Sequence, residues 1–266
     1  MSPIAPAAPA SPLLPPVAPT RADRLDALRG LAIVWMVGFH FAFDLNHLGW
    51  LEPRQDFYRD ALWTGQRMAI VSLFLLCAGL GQALSLAAGQ GWPRFWRRWA
   101  QVAVCALLVS AGSALMFPRS WISFGVLHGM AVMLIVTRGL AAAGLPGVWL
   151  WPLGALALMA PWLWQHPWFD HRASNWIGLV THKPVTEDYV PVLPWLGLML
   201  WGQAAGQWLV ARRAHWLAAP LPAALAGAGR GLAWLGRRPL TVYMLHQPLL
   251  IGGLMALGWL LERGAR

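Results

Sequence analysis

Seven apolar runs of near-spanning length, set apart by short polar punctuation, order this chain. They predict helices at approximately 28–48, 68–88, 99–117, 122–142, 146–165, 191–211 and 239–261. A bilayer core of about 30 Å needs about 20 apolar residues in a helix, and a spanning segment must satisfy its own backbone groups. The expectation is therefore an all-α polytopic transmembrane helix bundle of about seven spans. Ala214–Ala228 is apolar but short and broken by proline, which predicts an interfacial or re-entrant eighth segment. Glu52–Trp63 mixes apolar and charged residues and predicts an amphipathic helix lying along the outer surface.

The first run departs from the others. Arg24–Trp50, RLDALRGLAIVWMVGFHFAFDLNHLGW, carries two aspartates, two arginines and two histidines. Ionisable groups inside a bilayer are expensive and mark a pathway or a reactive site. At 100° per residue Asp26, Arg29, His40, Asp44 and His47 fall within roughly an 80° arc. Ile33, Met36 and Val37 fill the same stripe. Arg29 and His40 then lie about 16 Å apart along one face. One helix thus offers a cation near one surface and a His/Asp/His cluster towards the other.

Composition sharpens the class. The chain is 58% hydrophobic and 11% charged, with 19 tryptophans, against about 25% charged in a soluble domain. The length suits one bundle, residues 23–266, rather than two domains. Residues 1–22, an Ala/Pro/Ser tail, cannot build a core and are expected to be disordered. That tail lacks the basic start and continuous apolar centre of a signal peptide, so the first helix is expected to be an uncleaved anchor. Cys77 and Cys105 sit in apolar runs as small hydrophobes, and no Cys or His spacing suits a metal.

The net charge of +10 is explained by topology rather than by nucleic acid, since no basic, aromatic-interleaved soluble segment exists. With the N-terminus in the cytoplasm, the inside set is Arg21, Arg24, Arg29, Arg94, Arg97, Arg98, Arg138, Arg212, Arg213, Arg230, Arg237 and Arg238. These 12 of the 20 basic residues are accompanied only by Asp23 and Asp26, while 8 basic and 8 acidic residues fall outside. The whole excess lies on one side, which predicts N-in, C-out. An odd number of spans agrees.

Other polar groups interrupt later runs. His128, in ISFGVLHGMAVML, should lie at about the depth of His40, with Gly125 and Gly129 leaving space beside it. Tyr243, His246 and Gln247 share a face of the last run, where Pro248 predicts a kink; a polar clamp or a catalytic role would suit His246. Arg67, at the outer start of the second run, reads as a snorkelling anchor or a functional cation. His166, His171, His182, Glu187 and Asp188 occupy the long polar loop His166–Val190, where histidines are expected to be solvated. The glycines of Ala78–Gly81 and the Gln203/Gln207 pair read as helix-packing devices.

Five segments in order carry a resemblance. They are LDALRGLAIVWMVGFHFAFDL, LFLLCAGLGQAL, FGVLHGMAVML, DYVPVLPWLGLMLWG and LGRRPLTVYMLHQPLL. From about Arg24 to Gly253 the chain resembles the bacterial family of unknown function related to the heparan-α-glucosaminide N-acetyltransferase catalytic domain. That family belongs to a wider group of transmembrane acyltransferases. The resemblance implies a multi-pass protein of the bacterial inner membrane that passes an acyl group, acetyl first, from cytoplasmic acyl-CoA to a sugar or glycan on the other side. It also implies that a histidine in the outer part of the first helix is central. His40, in Met36-Val-Gly-Phe-His40-Phe41, matches the bacterial pattern, and His47, in His47-Leu-Gly-Trp50, resembles an element of the animal enzymes. His40 ranks first because Asp44 at i+4 can orient it. With no Gly-rich phosphate loop, the CoA phosphates would meet Arg29, Arg97, Arg98 or Arg237.

The chemistry is coherent with that implication. Attack by a sugar hydroxyl or amine on a thioester needs a base of pKa near 7, and imidazole supplies one. Tyr243 or His128 could donate to the oxyanion. The rival reading is a secondary transporter or proton-coupled exporter using the same His/Asp stripe as a relay, although no internal repeat of the transporter kind is found. A non-catalytic scaffold would leave the aligned stripe unexplained.

Overall fold

A computed structural model describes residues 22–221 and 226–264, in which every regular element is helical. In chain order the helices are α1 (Asp23–His47), α2 (Ala61–Ala87), α3 (Trp92–Met116), α4 (Val126–Ala142), α5 (Gly147–Leu163), α6 (Val192–Arg212), α7 (Ala214–Ala218), α8 (Ala226–Gly236) and α9 (Pro239–Gly264). Short 3₁₀ turns at Pro167–Asp170 and Asn175–Ile177 fold the loop between α5 and α6. The tail expected to be disordered lies, up to residue 21, outside the described residues. So do residues 222–225 of the segment expected to be interfacial. Its described part forms α7 and the start of α8, both packed on α1.

The all-α expectation holds, but the span count does not. Among the described residues only α1, α2, α3 and α9 are long and apolar enough to cross a membrane. The protein is a multi-pass membrane protein with four such helices rather than about seven. Helices α4 and α5 have 17 residues each, a rise of about 26 Å against a core of about 30 Å. Helix α6 has 21 residues, but its backbone is non-helical at Leu193. Gly197, Gly202, Gln203, Gly206 and Gln207 also dilute its apolar content. Those residues suit a helix packed inside the protein, where small side chains matter more than an apolar surface.

Helix α6 is that inner stave. It packs between α2 and α5 and buries Met199, Leu200, Gln203 and Ala204. A Cβ at Gly79 of α2 would run into the Met199 carbonyl, and one at Gly202 into the Leu76 carbonyl. Backbone lies on backbone here, as the glycine pattern predicts. Gln203 Nε2 donates to the Thr137 carbonyl and ties α6 to α4.

Helices α1 and α9 run parallel. Asp23 of α1 pairs with Arg237 just before α9, Asp44 pairs with Gln247, and Trp50 lies against Gly258. The two ends of the described chain therefore emerge at opposite ends of the bundle.

Glu52–Trp63 is not the expected amphipathic helix. Its first part is a series of bends and turns, and helix begins only at Ala61. The Asn46 side chain accepts from the Gln55 N–H (2.8 Å) and donates to the Gln55 carbonyl (2.9 Å), so local bonds hold the loop irregular. Phe57 then turns inward, 3% exposed, against Phe39 and Trp63.

Candidate active site

The polar stripe of α1 meets α9 at its His40 end. The His40 and His246 rings lie 5.0 Å apart between centroids, tilted by 58°, and the Tyr243 ring lies 5.6 Å from His246. One residue further along α9, Gln247 Nε2 donates to Asp44 Oδ1 (3.1 Å). Asp44 and His246 are 3% and 8% exposed. Asp44 Oδ2, His246 Nε2 and Gln247 Oε1 are buried without a hydrogen-bond partner among the described residues. Unpaired buried polar atoms cost free energy, and three of them share this one helix contact.

Asp44 does not bond to His40 as the i+4 spacing suggests; Gln247 takes it instead. His47 is exposed and stacks on Phe43 at 6.3 Å. It lines a pocket of about 460 Å³ with Phe43, Asn46, Arg54, Gln55, Asp56, Phe57 and Tyr58. His40 and His47 thus occupy two neighbouring settings: one in the α1–α9 contact, the other at its mouth.

His128 stands apart from this pair. The Gly125 N–H donates to His128 Nδ1 (3.2 Å), which leaves the ring proton on Nε2, facing Ser110 Oγ at 3.1 Å. Ser110 in turn donates to the Ile122 carbonyl (2.6 Å). Both ring nitrogens are engaged in closing the start of α4. Asp188 completes that start by accepting from the Val126 N–H (2.7 Å). Burial pushes the Asp188 carboxyl above the usual carboxylate range, against the opposing pull of the Val126 bond, Lys183 and Arg67. Lys183, in the same loop as Asp188, lies beside Tyr58, which lines the His47 pocket, so this loop reaches the mouth of the α1–α9 contact.

Arg67 belongs to this outer cluster. Its guanidinium and the Lys183 ammonium each lie 5.9 Å from the Tyr58 ring centre. Desolvation lowers the Lys183 pKa, as does the Arg67 charge beside it. Two loops thus meet here, one carrying Tyr58 and the other Lys183 and Asp188, none of which the apolar pattern singles out. One sign is present in the sequence: α4 starts at a glycine, which has no capping side chain, so its first N–H groups must find an acceptor elsewhere. His166, His171 and His182 are exposed, as expected.

The other end of α1 is closed. Arg29 donates to Asp26 (2.8 Å) and to the Gly236 carbonyl (3.4 Å). Arg237 bridges Asp23 (3.2 Å) and Asp26 (3.7 Å). Two of the arginines expected to meet donor phosphate, Arg29 and Arg237, are therefore already paired with carboxylates. Arg97, on α3, is exposed with Arg94 and Arg98, and none of the three forms an ion pair among the described residues. Gly81 of α2 lies against Arg29, which puts the α2–α3 turn and these arginines at the Arg29 end. Among the described residues no group of three His, Cys, Asp or Glu side chains could hold a metal.

Residues 21–248 match the family described as heparan-alpha-glucosaminide N-acetyltransferase, catalytic. The chain belongs to this family. Membership over most of the sequence makes it a transferase of the acyltransferase kind, built on membrane helices. The match ends at Gln247 and Pro248, so it takes in both partners of the α1–α9 contact, His40 with Asp44 and His246 with Gln247. No curated protein and no solved structure matches the chain. Within the family fold the polar contact between α1 and α9 is the place where imidazoles, a carboxylate and unpaired acceptors come together.

Proposed function

We propose that this protein moves an acyl group, acetyl first, from cytoplasmic acyl-CoA to a sugar or glycan on the opposite face of the bacterial inner membrane. The observation that carries the reading is the α1–α9 contact. It holds His40 against His246 beside Asp44, with three buried polar atoms unpaired. His40 acts at the reacting acyl group, as general base or as transient acyl carrier. A general base needs a neutral imidazole within reach of the acceptor proton, and a helix-lined setting excludes water that would hydrolyse the thioester.

The donor enters from the Arg29 end, taken as cytoplasmic because the basic excess lies there. The CoA phosphates meet Arg97, with Arg94 and Arg98, since these cations lack carboxylate partners while Arg29 and Arg237 have them. The acceptor enters at the other end, where the pocket beside His47 offers aromatic faces and planar polar groups. Purified protein in detergent should turn over acetyl-CoA with a sugar acceptor and lose that activity in His40→Ala. A folded His40→Ala protein at full rate would remove His40 from the chemistry and make His47 the first candidate. Solute flux in liposomes without acyl-CoA, and no acyl transfer, would favour the transporter instead.

A further inference from the structure

The two facing imidazoles are not equivalent. His246 Nδ1 lies 2.7 Å from the backbone carbonyl of Tyr243. A carbonyl can only accept, so Nδ1 must carry the proton, which fixes the neutral tautomer. The other nitrogen, Nε2, then presents a lone pair, and it is buried without a protein partner. Gln247, the next residue, is bonded to Asp44, so α9 is pinned to α1 beside this nitrogen. His40 faces the ring at 5.0 Å, and no comparable bond fixes its tautomer.

Resting on the acyl-transfer reading above, with His40 as the transient acyl carrier, we infer that His246 is a second catalytic residue, whose Nε2 takes the proton that the acceptor loses. The acceptor's O–H or N–H bond breaks and its proton passes to Nε2. The freed electron pair forms the bond to the acyl carbon. The bond from that carbon to the His40 nitrogen breaks with its pair on nitrogen, which recovers the proton from His246 and leaves both rings neutral. The acyl group reaches His40 beforehand: a His40 nitrogen attacks the thioester carbon, the C–S bond breaks with its pair on sulfur, and the thiolate takes the proton that the acylated ring loses, giving free CoA. The fixed Nδ1–H corresponds to the role a backbone carbonyl or carboxylate plays for other catalytic histidines, holding the ring in the tautomer whose second nitrogen is basic.

The test must separate this role from a mere clamp between helices. Asparagine can place its amide N–H where Nδ1–H stood and keep the Tyr243 bond, while offering no basic nitrogen. Full-length protein in detergent is assayed with acetyl-CoA and glucosamine, in wild type, His246→Asn and His246→Gly. The expected result is a kcat in His246→Asn lower by roughly 10²–10⁴-fold, with KM for both substrates within a few-fold of wild type. Added imidazole should restore part of the rate in His246→Gly. A His246→Asn protein at wild-type kcat overturns the assignment and leaves His246 a clamp, while the acyl-transfer reading stands. Equal loss in both variants with no imidazole rescue also overturns it. A wild-type protein that acetylates nothing overturns both readings together.

Discussion

The two ends of α1 use the same kinds of side chain in opposite ways. At the Arg29 end, two arginines meet two aspartates and a backbone carbonyl. There α8 packs so closely that a Cβ at Gly30 would overlap the Leu232 carbonyl, and one at Gly236 the Asp26 carbonyl. At the His40 end, Asp44 keeps one oxygen unpaired, His246 keeps one nitrogen unpaired, and Gly38 has open space beside it. One end is neutralised and closed; the other holds polar groups in reserve. The lesson is that an ionisable stripe in a membrane helix does not declare function along its whole length. Where every charge is partnered the stripe anchors, and where acceptors are left over it can react.

The largest test of that contrast is steric. Gly236→Leu should prevent the α1–α8 contact, because the obstacle is backbone that cannot rotate away. A cost of more than about 3 kcal/mol is expected, above the ordinary range for overpacking, seen as loss of monodisperse protein on gel filtration. Gly38→Leu, on the same helix as Gly30, should purify like wild type. Equal yields from the two variants would show that the Arg29 end is not held closed by this packing.

Carboxylate substitutions sharpen the comparison. Asp26→Ala removes the carboxylate that Arg29 and Arg237 share, leaving Arg237 with Asp23 and Arg29 with only the Gly236 carbonyl. About 1–3 kcal/mol of stability should be lost, between the values for exposed and buried pairs. Asp44→Asn keeps an acceptor for Gln247, so its melting temperature should stay close to wild type while acyl transfer falls at least about tenfold. The pairing of a stability variant with an activity variant is the point. If Asp44→Asn melts early and turns over normally, the His40 end is structural as well.

Much of this arrangement is legible in the amino-acid order. The α1 stripe, the shared face of Tyr243, His246 and Gln247, and the glycines between α2 and α6 all follow from helical period. Their pairing does not, because Asp44 and Gln247 are separated by 203 residues, and a period says which face is polar without saying what it meets. The span count fails for a related reason: an apolar run shows neither how long its helix is nor what covers it, so α4 and α5 stop at 17 residues and α6 is buried against protein. Asp188 reads only as one polar residue of a long loop, because nothing local shows that it closes the start of α4. The irregular Glu52–Trp63 loop depends on the Asn46–Gln55 bonds, which no amphipathic pattern contains.

The donor end gives a smaller effect. Arg97→Ala should raise the KM for acyl-CoA about two- to fivefold, the scale of an exposed ion pair, and added salt should mimic part of the loss by screening. Arg29→Ala should lower stability and leave that KM unchanged. The reverse pattern would move the phosphate contact back to α1, and the closed end of the helix would then carry function after all.

The smallest effect is a slope with pH at Asp188. Burial raises its pKa in the folded protein above the unfolded carboxylate value of about 3.9. The folded state therefore holds this proton more tightly than the unfolded state. By linkage, the stabilisation is fully present below the unfolded value and is lost as pH rises through the raised folded value. Thermal unfolding in detergent should accordingly show stability falling as pH rises from about 4 towards neutrality. Asp188→Asn keeps an oxygen to accept from the Val126 N–H but cannot titrate. It should reduce that slope while leaving the melting temperature at pH 4 nearly unchanged. An identical slope in the variant would mean that the carboxyl is solvated in the folded protein. The long loop would then lie open beside the His40 end instead of closing the start of α4 against it.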